Sequence, residues 1–290
     1  YNFNYEFKQK FKIKYTPSKK SIDEGEKSLI DDNNDFIVIN KKKTSSSHKL
    51  KIGDEINFYN FDYKFKPKDK NIYKPLKKNL DENEKSLIED NNDFIIINKK
   101  SGISSQGGTK SKNNLIDIFS NSALFKDAKP YSVHRLDKET SGVMIIAKNY
   151  NSAKLFTSLF RLRKIHKTYL AICHGIFNNK RGEIRGNLIK YEREKKITEL
   201  AITNYNVINS NNFFSFVELK PITGRKHQLR KQLSFIGNPI VGDSKYNIIK
   251  NKNKTEKKLM LHAYSIKFMI NNKKFNFKAE LPDYFNNYLN

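Results

Sequence analysis

Two short apolar runs place the strongest limit on the fold, Phe94-Ile95-Ile96-Ile97 and Val143-Met144-Ile145-Ile146-Ala147. Neither alternates with polar residues, and both are bounded by turn-rich sequence. Such runs read as fully buried strands. Further β-type runs lie at 167–174, 201–208, 213–219, 259–270 and 275–281. Helical spacing is scarcer. Residues 115–119 suggest a short helix, and 152–161 set Leu155-Phe156 and Leu159-Phe160 on a core face. A third helix opens at Lys226, with Leu229, Leu233 and Ile236 as its apolar face and Gly237 as its stop. Many strands with few helices, in no regular alternation, predict an α+β fold with a mostly antiparallel sheet.

The chain has 290 residues and a formal charge of +26. That charge points to a polyanionic partner, most simply nucleic acid. Abundant Lys, Asn, Ile, Phe and Tyr give a competing explanation, the codon bias of an AT-rich genome. No apolar run approaches the roughly 18 residues that a transmembrane helix needs, and no targeting segment is visible, although the chain opens on Tyr1. The single cysteine, Cys173, excludes an internal disulfide and fits a reducing compartment such as the cytoplasm.

One segment occurs twice. EKSLIDDNNDFIVINKK at 26–42 returns as EKSLIEDNNDFIIINKK at 84–100. Two copies with divergent flanks indicate a local duplication, not a solenoid. Phe36 to Lys43, which begins inside the first copy, reads as a strand ending in a basic turn, and Lys49 to Phe58 as a short strand, a Gly53-Asp54 turn and another short strand. This arrangement resembles half of the αL-type RNA-binding module, across about 35–58; the helical pair of that module is not evident in 1–34. Expected boundaries are a partial or divergent small α/β RNA-binding module over 1–75, a linker over 76–92 and a catalytic domain over 93–290.

The stretch His134-Arg135-Leu136-Asp137-Lys138-Glu139-Thr140-Ser141-Gly142 runs directly into the second buried strand. A charged turn feeding a buried strand is a common place for an active-site loop. Asp137 admits three readings here: nucleophile, general base, or half of a structural ion pair with Arg135. Arg135 and Asp137 are two residues apart, so in an extended segment they point to one side. Cys173-His174 is not a nucleophile pair, because adjacent strand residues point oppositely. His134 and Asp137 lack further spaced ligands for a metal.

Two more segments accompany this one: Lys167-Thr168-Tyr169-Leu170-Ala171, and Pro221 to Arg230 (PITGRKHQLR) with Gly237 to Asp243 (GNPIVGD) and Tyr246. In this order the three strongly resemble the RluA-type pseudouridine synthases, from about residue 93 to 282. Residues 97–102 match the start of that domain, with Lys100 where the family usually has proline. The resemblance implies a pseudouridine synthase fold with a long mixed, mostly antiparallel sheet and a central cleft. It implies isomerisation of uridine in RNA: the N1–C1′ bond breaks, the uracil turns, and C5 joins C1′. No cofactor or metal is implied.

The resemblance assigns Asp137 as the catalytic aspartate, acting as nucleophile or base. Arg230 becomes its cationic partner, and Tyr169 the ring against the target base, a stacking face worth roughly 1–3 kcal/mol. The target base must leave its stack, and Arg135 either fills the gap or steadies the Asp137 loop. His134 is expected as a structural hydrogen-bonder near the substrate, while Arg225, Lys226 and Gln228 are expected at the RNA. Large-subunit ribosomal RNA is the first substrate, transfer RNA the second, with a monomer acting on RNA without an obligatory protein partner or membrane. The rivals are a non-catalytic RNA-binding factor and a hydrolase using His134 and Asp137.

Overall fold

The computed structural model describes residues 14–15, 36–39, 42–43, 56–59, 75, 77–107, 114–125, 128–192, 195–247 and 258–288. The chain divides into a unit of Tyr1–Asn71 and a unit of Ile72–Asn290.

In the first unit four short strands form one sheet, ordered β1-β4-β2-β3: β1 (Lys14–Tyr15), β2 (Phe36–Ile39), β3 (Lys42–Lys43) and β4 (Ile56–Tyr59). The basic residues after β2 fold back on it, with Val38 opposite Lys43 and Ile39 opposite Lys42. The Gly53-Asp54 turn lies outside the described residues.

The second unit opens with helix α1 (Lys77–Glu84) and strands β5 (Leu87–Asp90) and β6 (Phe94–Lys99). Helix α2 (Leu115–Phe119), β7 (Tyr131–Ser132), β8 (Ser141–Ala147) and α3 (Tyr150–Arg161) follow. Then come β9 (His166–His174), β10 (Arg181–Glu192), β11 (Lys195–Ser210) and β12 (Phe214–Pro221). Helix α4 (Gln228–Phe235), β13 (Leu261–Ile270) and β14 (Lys273–Lys278) complete the order.

Residues 76–92, expected as a linker, instead carry α1 and β5. Strand β5 pairs antiparallel with β6, and Leu87 and Ile88 pack against different core clusters. Burial of these two side chains orders a segment whose polar composition alone predicts a loop. The duplicated sequence forms a strand in each copy, as β2 and as β6.

The second sheet has ten strands, with a main path β10-β11-β12-β9-β13-β8-β6-β5. It is mixed and mostly antiparallel, the fold read from the sequence. Its parallel contact is short, at His262 opposite Ser141 and Ala263 opposite Gly142. Beyond it the two strands part. Strand β13 continues against β14, and β8 takes β7.

The unbroken apolar runs are explained by cover on both faces. Ile95, Ile97, Met144 and Ile146 pack with Leu115 and Phe119 of α2. Phe94, Ile96, Val143, Ile145 and Ala147 pack on the opposite side with Phe156 of α3. Phe94 meets Phe156, Phe268, Phe275 and Phe277 edge-on, at 5.2 to 6.2 Å between ring centroids, geometry that aromatic quadrupoles favour. Helix α3 begins where Asn149 accepts the Ser152 N–H at 2.8 Å. Its Leu155, expected on the core face, is exposed, while Phe156 is buried.

The long β10–β11 hairpin was legible only in part. Of β10, only Ile184 is a buried hydrophobic, so the polar strand lacks the alternation that marks a half-buried one. It is held by a continuous antiparallel register from Arg181–Asn206 to Glu192–Lys195.

Candidate active site

Asp137 lies in the turn that precedes β8, where the Thr140 N–H donates to the Asp137 carbonyl at 3.1 Å. Leu136 is buried beside Met144 and Ala263 and anchors that turn in the core. The backbone of the turn is pinned by the loop after β6. Ser105 Oγ accepts the Leu136 N–H at 3.0 Å and donates to the Leu136 carbonyl at 2.9 Å. Ser101 Oγ donates to the Glu139 carbonyl at 2.7 Å, and the Gly102 N–H to the Lys138 carbonyl at 2.9 Å.

Lys99 completes this clasp. It is fully buried, and its ammonium donates to the carbonyls of Lys100, Ile103 and Lys138 at 3.0, 2.9 and 3.1 Å. Three acceptors match its three protons. Burial pushes its pKa down to about 7, against the opposing pull of Glu139 and Asp137. The loop carrying Lys100 in place of the family proline therefore stays out of the cavity yet grips the Asp137 turn.

The turn opens on a cavity of about 630 Å³, lined by residues of the 133–140 segment, the α3–β9 turn, β9, the end of β12 and the start of α4. Asp137, Tyr169, Arg230, Arg135, His134, Arg225 and Gln228 all line it; Lys226 does not. Arg135 and Asp137 both line this cavity, and so does Leu136 between them.

Arg230 is 4% exposed. Its fork is engaged by Asp243, with Nε to Oδ2 at 2.7 Å and Nη2 to Oδ1 at 2.8 Å. The remaining Nη1 lies 3.6 Å from Asp137 Oδ2 and 3.6 Å from Glu139 Oε2. The expected partner of Asp137 is thus in place but shared: Asp243 fixes the guanidinium, and Asp137 and Glu139 flank the nitrogen that is left. Burial alone would raise the Asp243 carboxyl, but Arg230 and the N–H groups of Lys245 and Tyr246 hold it below the usual range. Arg230 is held above its ordinary value, the cost of burial being outweighed by Asp243.

His227 lies on the other side of the carboxylate, with Nε2 3.6 Å from Asp137 Oδ1. Burial, and secondarily the charge of Asp137, raise the Tyr169 phenol, so it stays protonated at neutral pH and can donate but not act as a phenolate base.

Three further expectations need correction. The Gln228 amide is saturated by the protein: Oε1 accepts from Thr223 Oγ1 and the Arg225 N–H, and Nε2 donates to the Ile202 carbonyl and Thr203 Oγ1. It shapes the loop and has no site left for RNA. Arg225 is drawn onto β11, with Nη1 3.0 Å from Glu199 Oε1 and Nε donating to the Leu200 carbonyl. His134 keeps the structural hydrogen-bonding role expected of it but not a place among the substrate ligands, since its Nε2 accepts the Ile145 N–H at 2.9 Å and its ring stacks on Phe160. Burial, then Lys167, lowers its pKa to about 3, which suits a permanent acceptor. Cys173 is fully buried and its thiol is pushed up by that burial, as expected for an inert residue.

Sequence reasoning missed Lys99, Asp243, His227 and the basic pair Arg161 and Arg163, which line the cavity from the end of α3. Arg161 and Arg163 are exposed there. The Arg-Leu-Arg-Lys sequence at 161–164 was their available signal.

The family described as RNA pseudouridylate synthase matches residues 93–235. The ribosomal large subunit pseudouridine synthase C of Rickettsia bellii is 37% identical over 269 residues, covering 86% of this chain and 87% of that protein. The ribosomal large subunit pseudouridine synthase D of Borreliella burgdorferi is 33% identical over 216 residues, covering 69% of each chain. Among solved structures, Human RNA Pseudouridylate Synthase Domain Containing 4 superposes with a TM-score of 0.62 at 26% identity, covering 72% of this chain and 93% of that one. The chain therefore belongs to the RluA-type pseudouridine synthases and is an RNA pseudouridine synthase.

Proposed function

We propose that this enzyme isomerises uridines of large-subunit ribosomal RNA and that Asp137 is the acting carboxylate. The observation that carries the assignment is the cavity itself. It brings Asp137, a phenol on β9 and a guanidinium on α4 together at one concave site, within the size range of small-molecule pockets. Arg230 Nη1 stands 3.6 Å from Asp137 Oδ2, a cation beside the carboxylate that faces the substrate. The protonated Tyr169 offers a ring face and a hydrogen-bond donor to the flipped base. Arg135, exposed at the cavity, is assigned to the space the base leaves, and Arg161 and Arg163 to flanking phosphates.

The chemistry balances without an added reagent. The N1–C1′ bond breaks, C5 bonds to C1′, a proton leaves C5, and N1, which carries none in uridine, takes one up. The freed uracil must be held from water until it rejoins, which a walled cavity favours. Ribosomal RNA ranks before transfer RNA because the similar proteins carry ribosomal large subunit names. The hydrolase reading loses its base, since the His134 acceptor is occupied by Ile145.

The test incubates purified protein with unmodified large-subunit ribosomal RNA and with transfer RNA, then maps pseudouridine by chemical labelling. Discrete labelled uridines in ribosomal RNA are expected. Labelling confined to transfer RNA would reassign the substrate, strand scission would favour a hydrolase, and binding without labelling would favour an assembly factor.

A further inference from the structure

His227 has a backbone conformation that its residue type seldom adopts. It sits just before α4 at φ 54° and ψ 31°, in the left-handed region, and its side chain makes no capping bond to the helix. A non-glycine residue held there costs free energy that its surroundings must supply, and such residues cluster at functional sites. Its two ring nitrogens meet different groups. Nδ1 is 2.8 Å from the Tyr246 hydroxyl, and Nε2 is 3.6 Å from Asp137 Oδ1. Burial lowers the pKa of this imidazole, and Asp137 only partly opposes it, so the ring carries one proton at neutral pH.

Where that proton sits follows from the partners. With the proton on Nδ1, the lone pair of Nε2 would face a carboxylate. With Tyr246 donating to Nδ1, the proton moves to Nε2 and faces Asp137 Oδ1. Only the second arrangement satisfies both contacts. Arg230 Nη1 stands at the same 3.6 Å from the other oxygen, Oδ2. Both distances lie just beyond hydrogen-bond range, and catalytic contacts of this kind tighten when substrate enters.

We propose that His227 is a positioning residue for Asp137: as the Nε2–H tautomer set by Tyr246, it holds Oδ1 while Arg230 holds Oδ2, fixing the plane of the carboxylate. The role rests on the reading of Asp137 as the acting group. Tyr246 is the outer link, since it also lies under the Arg230 guanidinium, 5.3 Å from ring centre to Cζ. One phenol thus touches both donors that flank the carboxylate.

The experiment measures single-turnover pseudouridine formation and RNA affinity for His227→Ala, His227→Gln, Tyr246→Phe and the His227→Ala/Tyr246→Phe double variant, with Asp137→Asn as reference and thermal unfolding as a fold check. His227→Ala is expected to slow the chemical step on the order of 10- to 100-fold while RNA affinity stays within about twofold. His227→Gln, which keeps an N–H at similar reach, recovers part of the rate. Tyr246→Phe slows the reaction less, and adds little in the His227→Ala background because the two act as one unit.

A His227→Ala rate equal to wild type overturns the proposal, as does a loss that merely tracks RNA affinity or unfolding, or full additivity of the two substitutions. If His227→Ala does not fold, the Gln and Phe variants decide by the same criteria. An inactive Asp137→Asn beside a fully active His227→Ala would remove only the positioning role. A fully active Asp137→Asn would remove the Asp137 reading itself.

Discussion

Lys99 shows how much of the site is carried by a residue with no chemical role. Its ammonium sits among three backbone carbonyls, one of them from Lys138, next to Asp137. Truncating a buried donor leaves its acceptors unsatisfied, at about 1–3 kcal/mol for each group that finds no other partner. The Lys138 carbonyl keeps the Gly102 N–H, so the loss falls mainly on the other two. Lys99→Met is expected to lower stability by about 2–4 kcal/mol, read by urea unfolding, and to lower turnover through a slack Asp137 turn. Nothing in the sequence singles this residue out. Among 56 lysines and arginines it looks like one more surface charge at the end of a strand. Asp243 was hidden for another reason: its pairing with Arg230 depends on the turn after α4, and neither residue carries a pattern that identifies the other. Asp137 stands out in the sequence because its charged turn feeds the buried strand β8 and because its segment carries the family resemblance.

At the level of elements, the junction of β8 and β13 depends on a glycine. Gly142 has φ 112°, and a Cβ there would come within 2.2 Å of the Ala263 carbonyl oxygen and 2.6 Å of its nitrogen. Both are backbone atoms, so no rotamer change relieves the clash. Gly142→Ala should destabilise the fold by about 3 kcal/mol or more, measured as a shifted denaturation midpoint. Because the Asp137 turn enters β8 at this point, activity should fall even where the variant remains folded. The buried strands were readable because cover on two faces leaves an uninterrupted apolar run. The polar β10 and the segment of α1 and β5 were not, because ladder pairing and a few buried side chains order them. The start of α4 was read at Lys226 and falls at Gln228, since His227 takes a left-handed conformation that composition does not encode.

Across the catalytic unit, the sheet is joined through β13, which pairs with β9 on one edge and briefly with β8 on the other. Asp137 comes from the β8 side, whereas Arg230 and His227 come from α4 after β12, so the cavity is assembled only while this junction holds. His262 sits in it, fully buried, with Nδ1 2.9 Å from Ser141 Oγ and Nε2 3.3 Å from the Ala279 carbonyl. Burial lowers its pKa to about 4, against the opposing carbonyl of Ala279. The folded value lies below the unfolded one, so between about pH 6.5 and 4 the unfolded chain binds the extra proton. The stabilisation is therefore complete above about pH 6.5 and is lost as pH falls toward 4, by an amount on the order of 3 kcal/mol. Unfolding midpoints measured from pH 7 to 4 should fall, and His262→Gln should flatten the slope, leaving the part due to His134, which has the same sign. A slope unchanged in His262→Gln would contradict this origin. The central claim is that Asp137 acts on the uridine, and tritium release tests it most directly, because joining C5 to C1′ expels the C5 hydrogen. With ribosomal RNA tritiated at uridine C5, wild-type protein should release tritium in a single turnover, while Asp137→Asn should bind the same RNA with affinity within about twofold and release none above background; release by Asp137→Asn at the wild-type rate would contradict the account.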